Sequence, residues 1–353
     1  MIEATVKDSY LWDEIHQQET VVPQAIQANK PILQQIAAEV RARGIRQVIM
    51  AGRGSSEHAL RVGRRYFENQ VGMFCEIFSP SALTSYDAKL DFSDKLVIGV
   101  SQCGQAKDVY TLLAKAQQDG AVVVSITNAD DSLMNGIRKY YINCRCGVEH
   151  SFTAGKSYMT QAALVLELAA LIADDQAQVA AIEGCGPLLA ASHSCEEAIR
   201  QALPMFRNAS SIFVIGRGYA YAVALEAELK LQEASYVNAR AYASSDYQHG
   251  PIANTDRFTP YVFFLTDAKT DGTTAALLAK LKQLYRITAL VVTNKDEYMA
   301  AGDYAVRLPD GCEGPMAVFG LGVFAQTFAC LLSFARGYHP DKPVNLSKTT
   351  VTF

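Results

Sequence analysis

The 353-residue chain has little excess of charge of either sign, because 32 Lys and Arg stand against 36 Asp and Glu for a net charge of -4. No basic tract stands out, so a surface that follows a nucleic acid backbone is not expected. Half of the residues are apolar, which excludes a disordered chain and provides core material for two domains. A small anionic ligand remains compatible with this composition, since a few backbone amides can hold one.

The eight cysteines include no CxxC pair and no Cys/His spacing of the zinc type. Most of them are expected to be small buried apolar residues. The six histidines are dispersed, and we expect no metal and no other cofactor. The polar start of the chain predicts no signal peptide, and the scattered thiols favour a reduced, cytoplasmic protein.

One uncharged stretch, Gly314–Ala335, is long enough to cross a membrane. It stands alone in the sequence and contains Gln326, Thr327 and Ser333. We therefore predict a buried core helix and no membrane partner.

Short apolar runs end repeatedly in turns rich in Gly, Ser or Asn, and helical patterns follow them. The runs at 47–51, 95–100 and 121–126 predict strands, and 57–68 and 106–118 predict helices. This alternation predicts an α/β fold with a doubly wound parallel sheet and helices on both faces.

A helical region at 12–43 precedes the first strand. Pro23 and Pro31 interrupt its pattern, and we expect each of them near a helix start.

The strand-and-turn pattern occurs twice, because apolar runs at 212–215 and 290–292 predict further strands that end in similar turns. Gly52-Arg53-Gly54 has a counterpart in Gly216-Arg217-Gly218, and Thr127-Asn128 has one in Thr293-Asn294, in the same order and at nearly the same separation. This predicts a tandem repeat of one flavodoxin-like α/β domain. The predicted divisions are a helical segment at 1–44, domains at 45–180 and 200–335, and a C-terminal tail at 336–353.

Two turns of the first repeat are rich in hydroxyl groups and lead into helices. They are Gly54-Ser55-Ser56 and Ser101-Gln102-Cys103-Gly104. Free amides at a helix start attract anions, so the turns indicate a phosphate site; the alternative is a pair of ordinary capping serines. A dinucleotide fingerprint would place its third glycine at Glu57, where a carboxylate would face the pyrophosphate.

Three groups of residues have chemistry suited to proton transfer. Glu226, Lys230 and Glu233 share one helix face, and the pattern fits either a solvated ion-pair stripe or a proton-transfer site. His249 precedes Gly250-Pro251 in a loop, where a histidine is more often a surface residue than a catalytic one. Lys348 lies in the C-terminal tail, where a solvated lysine is the simpler interpretation.

At these residues the sequence resembles paired sugar isomerase (SIS) domains, as in the isomerase half of glucosamine-6-phosphate synthase and in SIS-type glucosamine-6-phosphate deaminases. The segments that carry the resemblance are 51–59, 100–108, 147–161, 224–251 and 345–351. They follow the family order over nearly the whole chain. The resemblance implies two SIS domains that bind a sugar phosphate.

The resemblance also implies which residues contact the substrate. The sugar phosphate would be held by Ser55, Ser56, Ser101, Gln102 and Cys103. The rest of the sugar would contact Gly54, Gly104, Ala154 and Lys156.

The catalytic set comes from the same resemblance. Glu233 matches the base that moves a proton between C1 and C2, and Lys230 and Glu226 match the helix residues that support it. His249 matches the histidine that assists ring opening, which in the family comes from the other subunit of a homodimer with shared active sites. Lys348 matches the tail lysine that closes over the open-chain sugar.

Several positions depart from the family pattern. Cys103 replaces a serine, Ala106 replaces a hydroxyl residue, and Ala154 lies in a turn that has lost hydroxyls. The chain holds no glutaminase half, so we expect a glutamine-independent enzyme. The predicted reaction converts an amino-sugar 6-phosphate to a ketose 6-phosphate with loss of the amine. The alternatives are deglycation of a fructosamine-type 6-phosphate and a non-catalytic phosphosugar sensor.

Overall fold

The structure, a computed structural model, describes residues 6–137 and 139–345, which form two compact units. The first unit comprises Thr20–Glu149 and Lys156–Cys185. The second unit comprises the described residues 6–19, His150–Gly155 and 186–345. Each unit has one five-stranded sheet whose paired strands are all parallel, which confirms the predicted tandem α/β fold.

The sheet of the first unit has the strand order β2-β1-β3-β4-β5. Its strands are β1 (Gln47–Ala51), β2 (Phe74–Ile77), β3 (Leu96–Val100), β4 (Val122–Thr127) and β5 (Tyr140–Asn143). The central strands β3 and β4 are buried along their whole length, as expected where helices cover both faces of a parallel sheet.

The first helix of this unit precedes its strands, and the other helices lie between or after them. They are α1 (Tyr10–Ala42, from Thr20 onward), α2 (Ser55–Tyr66), α3 (Ser81–Thr84), α4 (Lys107–Gln118), α5 (Lys156–Ala173) and α6 (Gln176–Glu183). Val97, Leu112 and Val123 form part of the core between the sheet and α4.

Helix α1 is continuous through both of its prolines. Pro23 and Pro31 lie inside the helix, so the prediction that they mark helix starts is wrong. Each proline removes one backbone hydrogen bond. The helix persists because its apolar face is fully buried, for example at Ile26 and Leu33.

The second unit repeats the architecture, with the strand order β10-β9-β8-β6-β7. Its strands are β6 (Ser211–Gly216), β7 (Asn238–Ala243), β8 (Tyr261–Leu265), β9 (Ala289–Thr293) and β10 (Tyr304–Arg307). Its further helices are α7 (Gly186–Ser192), α8 (Cys195–Phe206), α9 (Tyr219–Ser235), α10 (Ser244–Tyr247), α11 (Asp271–Tyr285) and α12 (Ala317–Ala335). In both sheets the order reverses between the first and third strands of the unit.

The two repeats share the backbone geometry of the first strand-to-helix turn. Gly54 has φ 54° and ψ -128°, and Gly218 has φ 62° and ψ -130°. A Cβ at Gly52 or at Gly216 would lie 2.9 Å from the backbone of the helix that follows. Both copies therefore need glycine at the same two places, and this explains the repeated Gly-Arg-Gly signature.

Helix α12 accounts for the uncharged stretch near the end of the chain. Gly314–Ala335 is long and apolar enough to cross a bilayer, but 94% of its most apolar window is buried inside the structure. The prediction of a buried core helix is confirmed.

Candidate functional site

The hydroxyl-rich turns of the first unit lie between strands β1 and β3, where the order of strands along the sheet changes direction. Strands β1 and β3 are neighbours, and Ala51 pairs with Gly99. The turns at 52–54 and 101–104 leave the carboxyl ends of these two strands, so they lie side by side. Ligands of open α/β sheets bind at this position.

Three serine side chains are nearly buried at these turns. Ser55, Ser56 and Ser101 are 9%, 7% and 8% exposed. Within the described chain, the hydroxyls of Ser55 and Ser56 make no hydrogen bond with another residue. They begin helix α2, whose amide end is attractive to anions. The predicted phosphate-binding residues are thus brought together, with donors available to a ligand.

Neighbouring backbone fixes the turn at 101–104. The carbonyl of Gln102 accepts a hydrogen bond from the Asn128 amide at 2.9 Å, and that of Gly104 accepts one from the Met134 amide at 3.1 Å. Gly104 has φ 65°, and a Cβ there would collide with the Ser132 hydroxyl. The turn is therefore held in shape before any ligand binds.

An ion pair joins the two turns, and sequence reasoning gave it no role. The Arg53 guanidinium lies 2.5 Å from the Asp108 carboxylate, which is 5% exposed on helix α4. The Arg53 side chain is 43% exposed and so adds positive charge beside the phosphate turns. The arginine of the Gly-Arg-Gly signature was the available signal.

Glu149 is a second residue that sequence reasoning missed. It is 4% exposed, and Oε2 accepts a hydrogen bond from the Gln102 side-chain amide at 3.3 Å. It also accepts from the Ser157 amide at 3.0 Å and the Ser157 hydroxyl at 2.5 Å. Glu149 thus links the phosphate turn to the start of helix α5, where the predicted Lys156 is buried as the first residue.

An open cleft of about 1020 Å³ lies beside this turn within the first unit. Gln102 and Cys103 form part of its wall, and the loops after β4 and β5 form the rest. The Asn128 side chain connects the two loops at the edge of the cleft. It accepts a hydrogen bond from the Cys146 amide at 3.1 Å and donates one to the Gly147 carbonyl at 2.8 Å.

The second unit holds the predicted proton-transfer residues on helix α9. The Lys230 ammonium lies 2.6 Å from a Glu233 carboxylate oxygen and 3.5 Å from one of Glu226. Lys230 and Glu226 are fully buried, because α9 packs against α12 and the sheet. The interpretation as a solvated ion-pair stripe is therefore wrong. The Glu233 side chain remains 20% exposed, as a group that exchanges protons with a ligand must be.

Two further predicted residues lie on loops of the second unit, outside helix α9. His249 is exposed after α10, and within the described chain its side chain makes no hydrogen bond or ion pair. Ala154 is half-buried in the loop His150–Gly155 of the second unit, where the Ser151 amide donates to the Glu14 carboxylate at 3.4 Å. Lys348 lies outside the described residues.

The corresponding turns of the second unit include a carboxylate close to the glycine signature. Asp267 Oδ2 lies 3.2 Å from the position of a Cβ on Gly218. Asp271, whose pKa burial raises, pairs with Lys295 at 2.9 Å. A carboxylate beside the turn, such as that of Asp267, repels a phosphate. The turns Gly54-Ser55-Ser56 and Ser101-Gln102-Cys103-Gly104 of the first unit contain no acidic residue.

Comparison with known proteins agrees with this duplicated architecture. The family model of the SIS domain matches residues 43–171 and 205–333. The chain belongs to the SIS domain family. The resemblance stated from the sequence is thereby confirmed, and the two matches correspond to the two sheets.

Curated relatives of this SIS-domain protein include glutamine–fructose-6-phosphate aminotransferase (isomerizing) of Aeropyrum pernix. The two are 28% identical over an alignment 355 residues long. The alignment covers 96% of this chain and 57% of that relative. The chain thus spans little more than half the length of that protein.

Solved structures show the same fold. The C-terminal domain of glucosamine-fructose-6-phosphate aminotransferase from Francisella tularensis has a TM-score of 0.83 at 20% identity, covering 95% of this chain and 98% of that one. Glucosamine-6-phosphate deaminase from Thermotoga maritima has a TM-score of 0.77 at 20% identity, covering 98% and 100%.

Proposed function

We propose that this SIS-domain protein is a phosphosugar isomerase-type enzyme that acts on an amino-sugar 6-phosphate. The reaction isomerises the sugar, releases the amine and yields a ketose 6-phosphate. The observation that carries the proposal is the buried Glu226–Lys230–Glu233 cluster, since a chain that only binds sugar phosphate has no need of it. The names of the relatives described above support the phosphosugar class.

Substrate binding is assigned to the turns of the first unit. Ser55, Ser56 and Ser101 would donate hydroxyl hydrogens to the phosphate, and the start of α2 would add its partial positive charge. The Arg53 guanidinium, which also pairs with Asp108, would lie nearby. Serine side chains suit this role because they donate without filling the space that the phosphate needs.

Proton transfer is assigned to Glu233. Its carboxylate would take a proton from C2 of the open-chain imine or aldehyde and return it at C1, which converts aldose to ketose through an enediol or enolamine. The Lys230 ammonium would orient Glu233 through their contact at 2.6 Å. His249 would assist ring opening, and Lys348 would contact the open-chain carbonyl.

The balanced overall reaction for glucosamine 6-phosphate consumes one water and forms fructose 6-phosphate and ammonia. The proton removed from C2 ends on C1, and the C2 nitrogen leaves after hydrolysis of the ketimine. This sequence involves no net oxidation or reduction.

The experiment that tests the proposal measures ammonia and ketose released from glucosamine 6-phosphate and from galactosamine 6-phosphate. We expect equimolar ammonia and ketose with wild type and none with Glu233→Gln, while ligand still raises the melting temperature of that variant. Unchanged turnover in Glu233→Gln would remove Glu233 from the mechanism.

Two other results would redirect the proposal, and one further experiment tests the amine source. Thermal stabilisation by phosphosugars without ammonia release would favour deglycation of a fructosamine-type 6-phosphate, to be assayed as amine release. Binding with no turnover of either substrate class would favour a sensor. Incubation of fructose 6-phosphate with glutamine or with ammonium tests the amine source, and we expect only ammonium to support the reverse reaction.

A further inference from the structure

Cys103 differs from the other thiols in its surroundings. Cys75 and Cys103 are partly exposed, and the remaining cysteines are buried: Cys144, Cys146, Cys185, Cys195, Cys312 and Cys330. Cys103 also forms part of the wall of the open cleft in the first unit. Small reagents in solution therefore have a route to its sulfur.

The other thiols are poorly suited to reaction with electrophiles. Burial raises the pKa of Cys185, Cys195 and Cys330 to about 12 and that of Cys312 to about 11. The pKa of Cys75 is raised to about 12, by burial and then by the nearby Glu68 carboxylate. Because the thiolate is the reactive form, these sites react slowly near neutral pH.

The Cys103 sulfur lies within the predicted phosphate-binding turn. It is 3.9 Å from the Ser101 hydroxyl oxygen. Independent of the thiol, the side chains of Ser55 and Ser56 at the adjoining turn are more than nine-tenths buried and leave their hydroxyls without a protein partner in the described chain. The two turns leave neighbouring strands of the sheet, so a ligand held by these hydroxyls would lie next to the turn that carries Cys103.

We propose that Cys103 is a modification site through which peroxides and small electrophiles switch off binding of the phosphosugar. This inference rests on the proposed function, since it concerns regulation of the same site. In the step with hydrogen peroxide, sulfur attacks one peroxide oxygen and the O–O bond breaks. The thiol becomes a sulfenic acid, the peroxide is reduced, and water leaves.

The modified side chain conflicts with the ligand in two ways. The added oxygen occupies space beside Ser101, and the ionised sulfenate carries a negative charge that repels a phosphate dianion. Reversal requires two equivalents of an external thiol. The first forms a mixed disulfide with release of water, and the second restores Cys103 and leaves as part of a disulfide.

The test maps adducts and measures ligand binding on the same samples. Full-length protein is treated with hydrogen peroxide and then trapped with dimedone, or is treated with iodoacetamide alone, and peptides are mapped by mass spectrometry. We expect one dominant adduct, at Cys103, whose formation saturating glucosamine 6-phosphate slows at least tenfold. Peroxide should abolish the thermal shift given by glucosamine 6-phosphate, and dithiothreitol should restore it.

Two variants isolate the site. Cys103→Ser is measured before and after peroxide treatment. The rise in its melting temperature on addition of glucosamine 6-phosphate should be the same in both measurements. Cys75→Ser is the matched control, because its parent thiol is also partly exposed; it should lose the shift on treatment as wild type does.

The outcomes separate this inference from the proposed function. A reduced protein that shows no shift with any amino-sugar phosphate overturns the proposed function, and the regulation with it. A reduced protein that binds, together with an adduct at Cys103 that leaves binding intact, overturns the inference alone. A dominant adduct elsewhere, or peroxide sensitivity that persists in Cys103→Ser, also overturns it.

Discussion

The Lys230 ammonium lies 2.6 Å from the Glu233 carboxylate, and Lys230 is fully buried whereas Glu233 is not. The lysine is held inside the second unit by Glu226 at 3.5 Å. A buried cation therefore contacts Glu233, whose own side chain is 20% exposed. A carboxylate in this position keeps one orientation while exchanging a proton with a ligand.

Replacement of the buried lysine should cost stability as well as activity. In Lys230→Met, Glu226 loses the cation beside it in a buried environment, and we expect the free energy of unfolding to fall by about 3–5 kcal/mol. Lys282→Met is the matched control, since Lys282 pairs with Asp303 at 3.2 Å on the surface and its loss should cost below about 1 kcal/mol. Urea denaturation measures both; equal losses would contradict the buried role.

Glu149 should act on substrate binding through the Gln102 turn. In Glu149→Gln, the charged acceptor for Gln102 and Ser157 is replaced by a neutral amide, which weakens both hydrogen bonds. We expect KM for the phosphosugar to rise severalfold with a smaller change in kcat. Steady-state kinetics measures KM and kcat separately. Glu68→Gln, at a surface pair with Arg64, is the control, and an unchanged KM in Glu149→Gln would refute the assignment.

Glu167 should make stability depend on pH. It is fully buried, its carboxylate oxygens have no hydrogen-bond partner in the described chain, and burial followed by the Glu183 charge raises its pKa from 4.5 to about 8. Its proton is held more tightly in the folded protein. This group therefore lowers the free energy of unfolding by about 1.4 kcal/mol per pH unit between pH 4.5 and pH 8.

Glu167→Gln removes that dependence. The gain in stability of the variant over wild type should be small at pH 4.5 and should grow to a constant value above pH 8. Denaturant unfolding at several pH values measures it, and a difference that does not change with pH would show that Glu167 does not titrate in this range.

A homodimer with shared sites predicts complementation between inactive variants. His249→Ala and Glu233→Gln should each be inactive alone. After subunit exchange in an equal mixture, half of the dimers are mixed and each has one intact site, so about a quarter of wild-type activity should return. Ammonia release measures it. No recovery, despite exchange demonstrated with differently tagged chains, would place His249 and Glu233 of one chain in the same site.

The central strands could be predicted from the sequence, and the edge strands could not. Strands β1, β3, β4, β6 and β9 are continuous apolar runs that the structure confirms within a residue or so at each end. The edge strands β2 and β10 are short and largely exposed, so they lack such runs. Strand β8 is fully buried and apolar, but no glycine signature follows it, and it was not predicted.

The candidate site shows a similar limit. The serine turns were predictable because they follow apolar strands directly. Burial of Glu226 and Lys230 was not, since the same spacing occurs on a solvated helix and only packing against α12 distinguishes the two. Arg53 and Glu149 act through partners distant in sequence, Asp108 and Gln102, and no local pattern encodes such pairs.

Asp267, placed beside Gly218 in the second copy of the fold, has a consequence for how such a protein can change. A phosphate is disfavoured beside this carboxylate, and under the proposed function the copy that carries helix α9 does not need to hold the phosphate as well. The hydroxyl-rich turns assigned to the phosphate belong to the other copy. Under that assignment, substitutions in those turns would change sugar binding without altering helix α9, so specificity and proton transfer could change separately.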